Sequence, residues 1–492
     1  MLRSPWRIRH RRIFILIPLL LVLWFLWNPF ATPPAPQKSP TPPPGVLPTP
    51  APDVPLDFDP PSIAARASAQ RALDAVLLHA STTPAELRQV IFRDFEPYYQ
   101  AAATNRSWFR EMVHRGQEQF LREAQALKPK RQATYGLAAL EFKKGKLVVP
   151  PYRPTNYADD LVRQLNKIAP LMPNFKFLLN GRDEPRVVFN TQEQGALARA
   201  TESGDPLPFH ISPSPSGPFF KNQSGCDILS AEDGFVDDIG DIVSFFISSA
   251  STDFTTDFWP LLSMTKLSCF SDILFPAQYY YRLSRWSPKM GANDVPWADK
   301  KSLLYWRGAS TGGRIRSTPT GSNHHLFPRF RFLTLAKNNT SLMDVRMTSF
   351  AHEYCKTDDG CHFTPIVIQY SIFGPKAPRR EALGYKYLLD IDGNTFSGRF
   401  LGLLRSGSLV FKATVYQEFF NDWLRPYEHF IPVKYDLSDL VQKVEWAQAH
   451  DDEARRIQET GKLFADKLMT DAQNDCYMAL VLLEWARLYN ET

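Results

Sequence analysis

Cysteine is scarce and odd in number, with five in 492 residues at positions Cys226, Cys269, Cys355, Cys361 and Cys476. No C-x-x-C pair occurs, and the one H-x-x-C, His352 to Cys355, has no second ligand pair, which argues against a structural zinc site. The motif G-x-x-x-x-G-K-[ST] is also missing, so no Walker phosphate loop is present. The first twelve residues lack acid and hold Arg3, Arg7, Arg9, Arg11 and Arg12. Without these five, 52 basic residues face 51 acidic ones, a net charge of +1 for the remainder. So neutral a body lacks the clustered basic face that nucleic acid requires.

What is present begins with Ile13–Trp27, IFILIPLLLVLWFLW, an uncharged run that extends through Phe30 to 18 residues. This length reaches the lower limit of a membrane span, and the arginines before it orient the remainder to the far side. Residues 1–12 read as a cytosolic tail and 13–30 as a single-pass signal anchor; a cleaved signal peptide is the other reading of the same run. Residues 31–61 hold 13 of the 41 prolines and read as an extended stem. Segment 62–132 reads as helical, with Ser62–His79 and Thr83–Leu127 amphipathic and without evident chemistry. Sequons at Asn105, Asn222, Asn338, Asn339 and Asn490 fit a lumenal surface, although such tripeptides also arise by chance. In an oxidising lumen one or two disulfides are compatible with the cysteines, and Cys355 and Cys361 are close enough to close a short loop.

The chain is organised around Tyr385–Lys412, YKYLLDIDGNTFSGRFLGLLRSGSLVFK. Tyr385–Ile391 suits a buried strand, Asp392-Gly393-Asn394 a turn, and Ser397 the cap of a helix carrying Phe400, Leu401 and Leu404. Gly407 stops that helix and Ser408–Phe411 returns as a strand. A βαβ unit of this kind needs a parallel sheet, whose ligands sit beyond the carboxyl ends of the strands. Asn394, Thr395, Phe396, Ser397, Gly398 and Arg399 then lie where backbone N–H groups and a helix start converge, a place suited to a diphosphate. A plain βαβ turn with a surface arginine is the competing reading.

The pattern YKYL…GxxxSxRF…L…GSLVF resembles the core signature of glycosyltransferase family 90, which includes capsule-associated fungal xylosyltransferases and lumenal protein O-glucosyltransferases. The similarity continues through Phe419–Leu440 and, more weakly, back to about Gly181. It implies an α/β fold of two facing Rossmann-like domains (GT-B-like), 133–286 for the acceptor and base and 287–492 for the sugar nucleotide, behind the anchor and stem. It also implies an inverting transfer of xylose or glucose from a UDP-sugar donor to a hydroxyl of a glycan or glycoprotein acceptor. The C-terminal LYNET is no retention signal, so a Golgi membrane is expected before the endoplasmic reticulum.

Strand Phe175–Asn180 runs into Gly181-Arg182-Asp183-Glu184-Pro185, and the resemblance makes Asp183 the general base. A turn-capping aspartate has the same local pattern. SDILFPAQYYY resembles a further family segment, with Asp272 expected near the cleft floor and Tyr279–Tyr281 either a sugar-facing cluster or a buried edge strand. After strand Leu303–Trp306, Ala309 stands where the family has serine, so Ser310 and Arg314 are the donor-contacting candidates, with Gly312 and Gly313 allowing close backbone approach and Arg307 as a structural tie. Asp390-Ile391-Asp392 matches the D-x-D by which many sugar-nucleotide enzymes hold Mn or Mg. The protein O-glucosyltransferases lack the second carboxylate and are thought to work without metal, so no permanently bound cofactor is expected and Asp390 and Asp392 are weak metal candidates. Glu418 stands where a ribose-gripping acid could be, or on a surface helix. A non-catalytic lumenal glycan-binding or scaffolding protein that keeps the fold is the alternative to an enzyme.

Overall fold

A computed structural model describes residues 84–126, 137–149, 158–181, 183, 185, 259–266, 270–281, 295–312, 315, 317–318, 321–351, 363–372 and 377–491. The expected membrane anchor, stem and Ser62–His79 helix lie outside the described residues, as do Arg314, Gly313 and all the cysteines except Cys476. Among the described residues no helix is long and apolar enough to cross a membrane. All of them belong to one compact unit, Pro61–Thr492.

The chain is α/β, built on two five-stranded sheets. The first contains β1 (Leu137–Lys143), β2 (Lys146–Val148), β3 (Phe175–Asn180), β4 (Leu262–Ser263) and β5 (Ile273–Leu274) in the order β2-β1-β3-β4-β5. Strand β1 runs antiparallel to β2 and β3, whereas β3, β4 and β5 are parallel. The second is wholly parallel, with β6 (Lys301–Ala309), β9 (Met343–Ser349), β10 (Tyr385–Ile391), β11 (Leu409–Ala413) and β12 (Ile431–Pro432) in the order β12-β11-β10-β6-β9. A small hairpin of β7 (Ser317–Thr318) and β8 (Gly321–Ser322) follows β6. Strand β10 is central and covered on both sides, which is why its sequence is an almost unbroken apolar run rather than an alternation.

Helices α1 (Pro84–Thr104) and α2 (Trp108–Ala126) occupy the expected single run Thr83–Leu127 but are split at Asn105. There the Asn105 carboxamide oxygen accepts from the Ser107 N–H and hydroxyl, so the backbone turns instead of continuing. Helix α3 (Ala158–Ile168) and the last helix complete the cover of the first sheet. Helices α4 (Pro328–Lys337) and α5 (Phe363–Gln369) precede β10, and α6 (Phe400–Leu404), α7 (Leu440–Ala449) and α8 (Asp451–Leu468) follow it. Helix α9 (Asp471–Asn490) crosses back, packing on α1, α2, α3 and β3, with the Trp485 indole N–H donating to Lys176 O. Cys476 on α9 is buried with a free thiol.

The β10-α6-β11 unit forms as the sequence predicts, with Tyr387 opposite Leu409 and Ile391 opposite Ala413. Ser397 does not cap α6. The Phe400 N–H donates to Ser397 O in a tight turn, which delays the helix to Phe400 and leaves Arg399 at its N-cap position. Gly461 lets α8 press against the preceding turn, because a Cβ there would lie 2.2 Å from His429 O. Gly461→Ala is expected to lower stability by about 1–3 kcal/mol through overpacking, although alanine otherwise favours a helix. Denaturant unfolding checks it, and a stabilised variant would contradict the packing.

Candidate active site

Three strand ends meet at one cavity of about 240 Å³. From β3 comes Asp183, from β6 Thr311, and from β10 the loop Gly393–Arg399; Tyr279, Arg329 and Arg379 complete the lining. Among the residues singled out from sequence, the structure therefore brings together Asp183 and all of Asn394, Thr395, Phe396, Ser397, Gly398 and Arg399.

The loops are held by contacts that only small residues permit. Gly312 has φ +113°, and a Cβ there would lie 2.8 Å from Gly393 O. Its N–H donates to Asn394 Oδ1 at 3.3 Å, so the glycine serves the approach of two protein loops. Around the cavity several polar atoms lack partners among the described residues: the hydroxyls of Thr395 and Ser397 and Nη2 of Arg399. Buried polar groups normally find partners, so a cluster without them beside a cavity points to a polar ligand. Arg399 ties its other arm, Nη1, to Arg307 O at 3.0 Å, and burial pushes its pKa down.

Arg329 carries no motif in the sequence, yet it lines the cavity and organises it. Its Nε donates to Asp392 O at 2.8 Å, Nη1 to Ala309 O and the Thr311 hydroxyl, and Nη2 to Ile391 O at 3.3 Å. Burial first, and then the Arg399 charge, lower its pKa to about 9. The low mean periodicity of Pro-Arg-Phe-Arg-Phe hides the residue; a buried arginine at the first turn of a helix beside a strand end is a tertiary fact.

Other candidates fall elsewhere. Ser310 is fully buried outside the cavity, its Oγ accepting from the Ala351 N–H at 2.8 Å, while its neighbour Thr311 reaches the lining. Asp272 is buried and accepts from the Ser263 hydroxyl. Tyr279–Tyr281 form neither a stacking trio nor an edge strand: Gln278–Tyr280 is a 3₁₀ turn, with Tyr280 and Tyr281 buried and Tyr279 at the cavity. Arg307 is tied to Asp344 and Glu381. Glu418 is not on a surface helix; it is 1 % exposed and accepts from the Tyr280 hydroxyl.

Asp390 and Asp392 are both engaged by neighbouring side chains. Asp390 Oδ2 accepts from Lys412 Nζ at 3.0 Å, and Asp392 takes the Thr414 hydroxyl and the Val415 N–H. Burial raises the Asp392 carboxyl to about 7. Among the described residues no group of three or more His, Cys, Asp or Glu side chains could hold a metal.

The family model for glycosyl transferase family 90 matches residues 238–491, just over half of the chain. The chain belongs to glycosyltransferase family 90. The match contains Arg329, Arg379 and Gly393–Arg399, while Asp183 precedes it and joins them only in space. Similar proteins include Protein O-glucosyltransferase 2 of Danio rerio, 31 % identical over 193 residues that cover 39 % of this chain and 34 % of the relative. Protein O-glucosyltransferase 3 of Rattus norvegicus is 41 % identical over 159 residues, covering 32 % and 29 %. Protein O-glucosyltransferase 1 of Homo sapiens is 28 % identical over 253 residues, covering 47 % and 59 %. The family 90 chain thus spans between about a third and three fifths of these relatives' lengths.

Burial raises Glu418 to about 8 despite the nearby Lys412 ammonium. A carboxyl whose folded pKa lies above the unfolded ~4.3 binds more protons folded than unfolded. Its stabilising effect is complete below the unfolded value and is lost as pH rises through the folded one. Melting temperature is therefore expected to fall between about pH 5 and about pH 8, and Glu418→Gln to flatten that fall. A variant declining as steeply as the parent would contradict the assignment.

Proposed function

We infer that this chain is an inverting glycosyltransferase that moves a sugar, glucose or xylose, from a UDP-sugar to a hydroxyl of a glycan or glycoprotein. One observation carries the reading: the Asp183 carboxylate and the loop Asn394–Arg399, joined by Arg329, line the same cavity. A carboxylate facing a cationic cradle is the arrangement that an in-line displacement at an anomeric carbon needs. Family membership and the names of the relatives support it, and they favour glucose.

In this reaction the acceptor hydroxyl gives its proton to Asp183 as its oxygen forms a bond to the anomeric carbon. The bond from that carbon to the diphosphate oxygen breaks, and the electron pair leaves with the diphosphate. Nη2 of Arg399, the Arg329 guanidinium, the exposed Arg379 and the hydroxyls of Thr395 and Ser397 offset the charge that develops there. No step needs Asp390 or Asp392. The two sheets would act as facing Rossmann-like halves of a GT-B-like enzyme whose body is lumenal, on a Golgi or endoplasmic reticulum membrane.

A donor screen on the full chain tests this. UDP-glucose or UDP-xylose is expected to be turned over, Asp183→Asn to lower kcat by about a hundredfold or more, and Arg399→Ala to cost a similar factor. Turnover that survives Asp183→Asn removes the base, and loss of turnover with a chelator reinstates Asp390 and Asp392.

A further inference from the structure

Among the described residues, Tyr279 is in contact with both Asp183 and the Asn394–Arg399 loop. Its hydroxyl lies 3.5 Å from Asp183 Oδ1. Its ring meets Phe396 edge to face at 5.8 Å between centroids. The same ring covers Gly398 so closely that a Cβ there would come within 2.9 Å of the tyrosine Cγ. One rigid side chain with two rotatable torsions thus runs from the carboxylate to the loop that would hold the donor.

The turn that carries it is itself fixed. The Tyr280 hydroxyl donates to Glu418, Asn474 Nδ2 donates to Tyr280 O at 3.1 Å, and the Tyr280 ring packs edge-on against Phe420 at 5.5 Å. These anchors come from the segment after β11 and from α9, so the backbone of Tyr279 is set by distant parts of the chain. Neither Tyr280 nor its partners line the cavity, and the reaction as derived uses none of them.

We propose that Tyr279 is a positioning residue: by donating to Oδ1 it fixes the Asp183 carboxylate at a set separation from the Asn394–Arg399 loop. The proposal rests on the transferase reading and deepens it. A phenol donating to the ionised form also holds a carboxylate's pKa down. Among the described residues, the charged groups lining the cavity with Asp183 are Arg329, Arg379 and Arg399, all of the same sign, and Tyr279→Phe removes a donor to the carboxylate without changing them.

The test is Tyr279→Phe in the full chain, which keeps the ring and its contacts with Phe396 and Gly398. The expected result is a fall in kcat of about tenfold to a hundredfold, donor KM within about twofold, and the acidic limb of the pH–rate profile moved to higher pH. Unchanged kcat and acidic limb overturn the proposal. A raised KM with kcat and limb intact also overturns it, because Tyr279 would then be a stacking platform for the sugar. If the parent chain turns over no donor, the transferase reading fails separately. Carboxyl ¹³C titration of Asp183, identified by its loss in Asp183→Asn, still decides the contact: a higher midpoint in Tyr279→Phe supports it and an equal midpoint refutes it.

Discussion

The rest of this structure depends on one buried guanidinium. Arg329 takes the carboxyl-terminal carbonyls of β6 and β10 and the Thr311 hydroxyl in a single fork, and so fixes the separation of the two central parallel strands where they end. Parallel strands leave their last carbonyls unpaired at that edge, and a planar group with five donors can satisfy several at once. The cation remains at the cavity wall beside Arg399, and burial, followed by the repulsion between the two, lowers the pKa of Arg329. Such a wall is unfavourable when empty and is relieved by an anion. The diphosphate proposed above would supply such an anion.

Beneath the wall lies a second, self-neutralising charge cluster. Lys412 pairs with Asp390 and lies over the Phe400 ring at 3.8 Å, while Glu418 and Asp392 sit nearby with raised pKa values. The charges of this cluster offset one another, although Asp390 Oδ1 has no hydrogen-bond partner among the described residues, whereas the cavity above presents cations and unpartnered hydroxyls. Removing Lys412 would strand Asp390, already 0 % exposed, without a counter-charge.

Sequence patterns read the local elements well. Strands β3 and β10 have the predicted bounds, and the parallel return at β11 follows from the βαβ logic of Tyr385–Lys412. The start of α6 was misjudged because a serine before a helix looks the same whether its hydroxyl or its carbonyl takes the next N–H. Arg329 was missed and Ser310 overvalued for a shared reason: which of two adjacent residues faces a cavity is decided by a strand end's twist and by helix α4, and no periodicity records either. Glu418 likewise gave no sign of burial, since its partner Tyr280 is 138 residues distant.

The central claim is that the cradle of Arg399, Arg329 and the Asn394–Ser397 loop holds a diphosphate facing Asp183. Its most direct test is an experimental structure of the chain with UDP bound. The account predicts the β-phosphate within about 3 Å of Arg399 Nη2 and of the Thr395 or Ser397 hydroxyl, with Asp183 across the same cavity. A diphosphate seated elsewhere, with Arg399 Nη2 still unpaired, would contradict it.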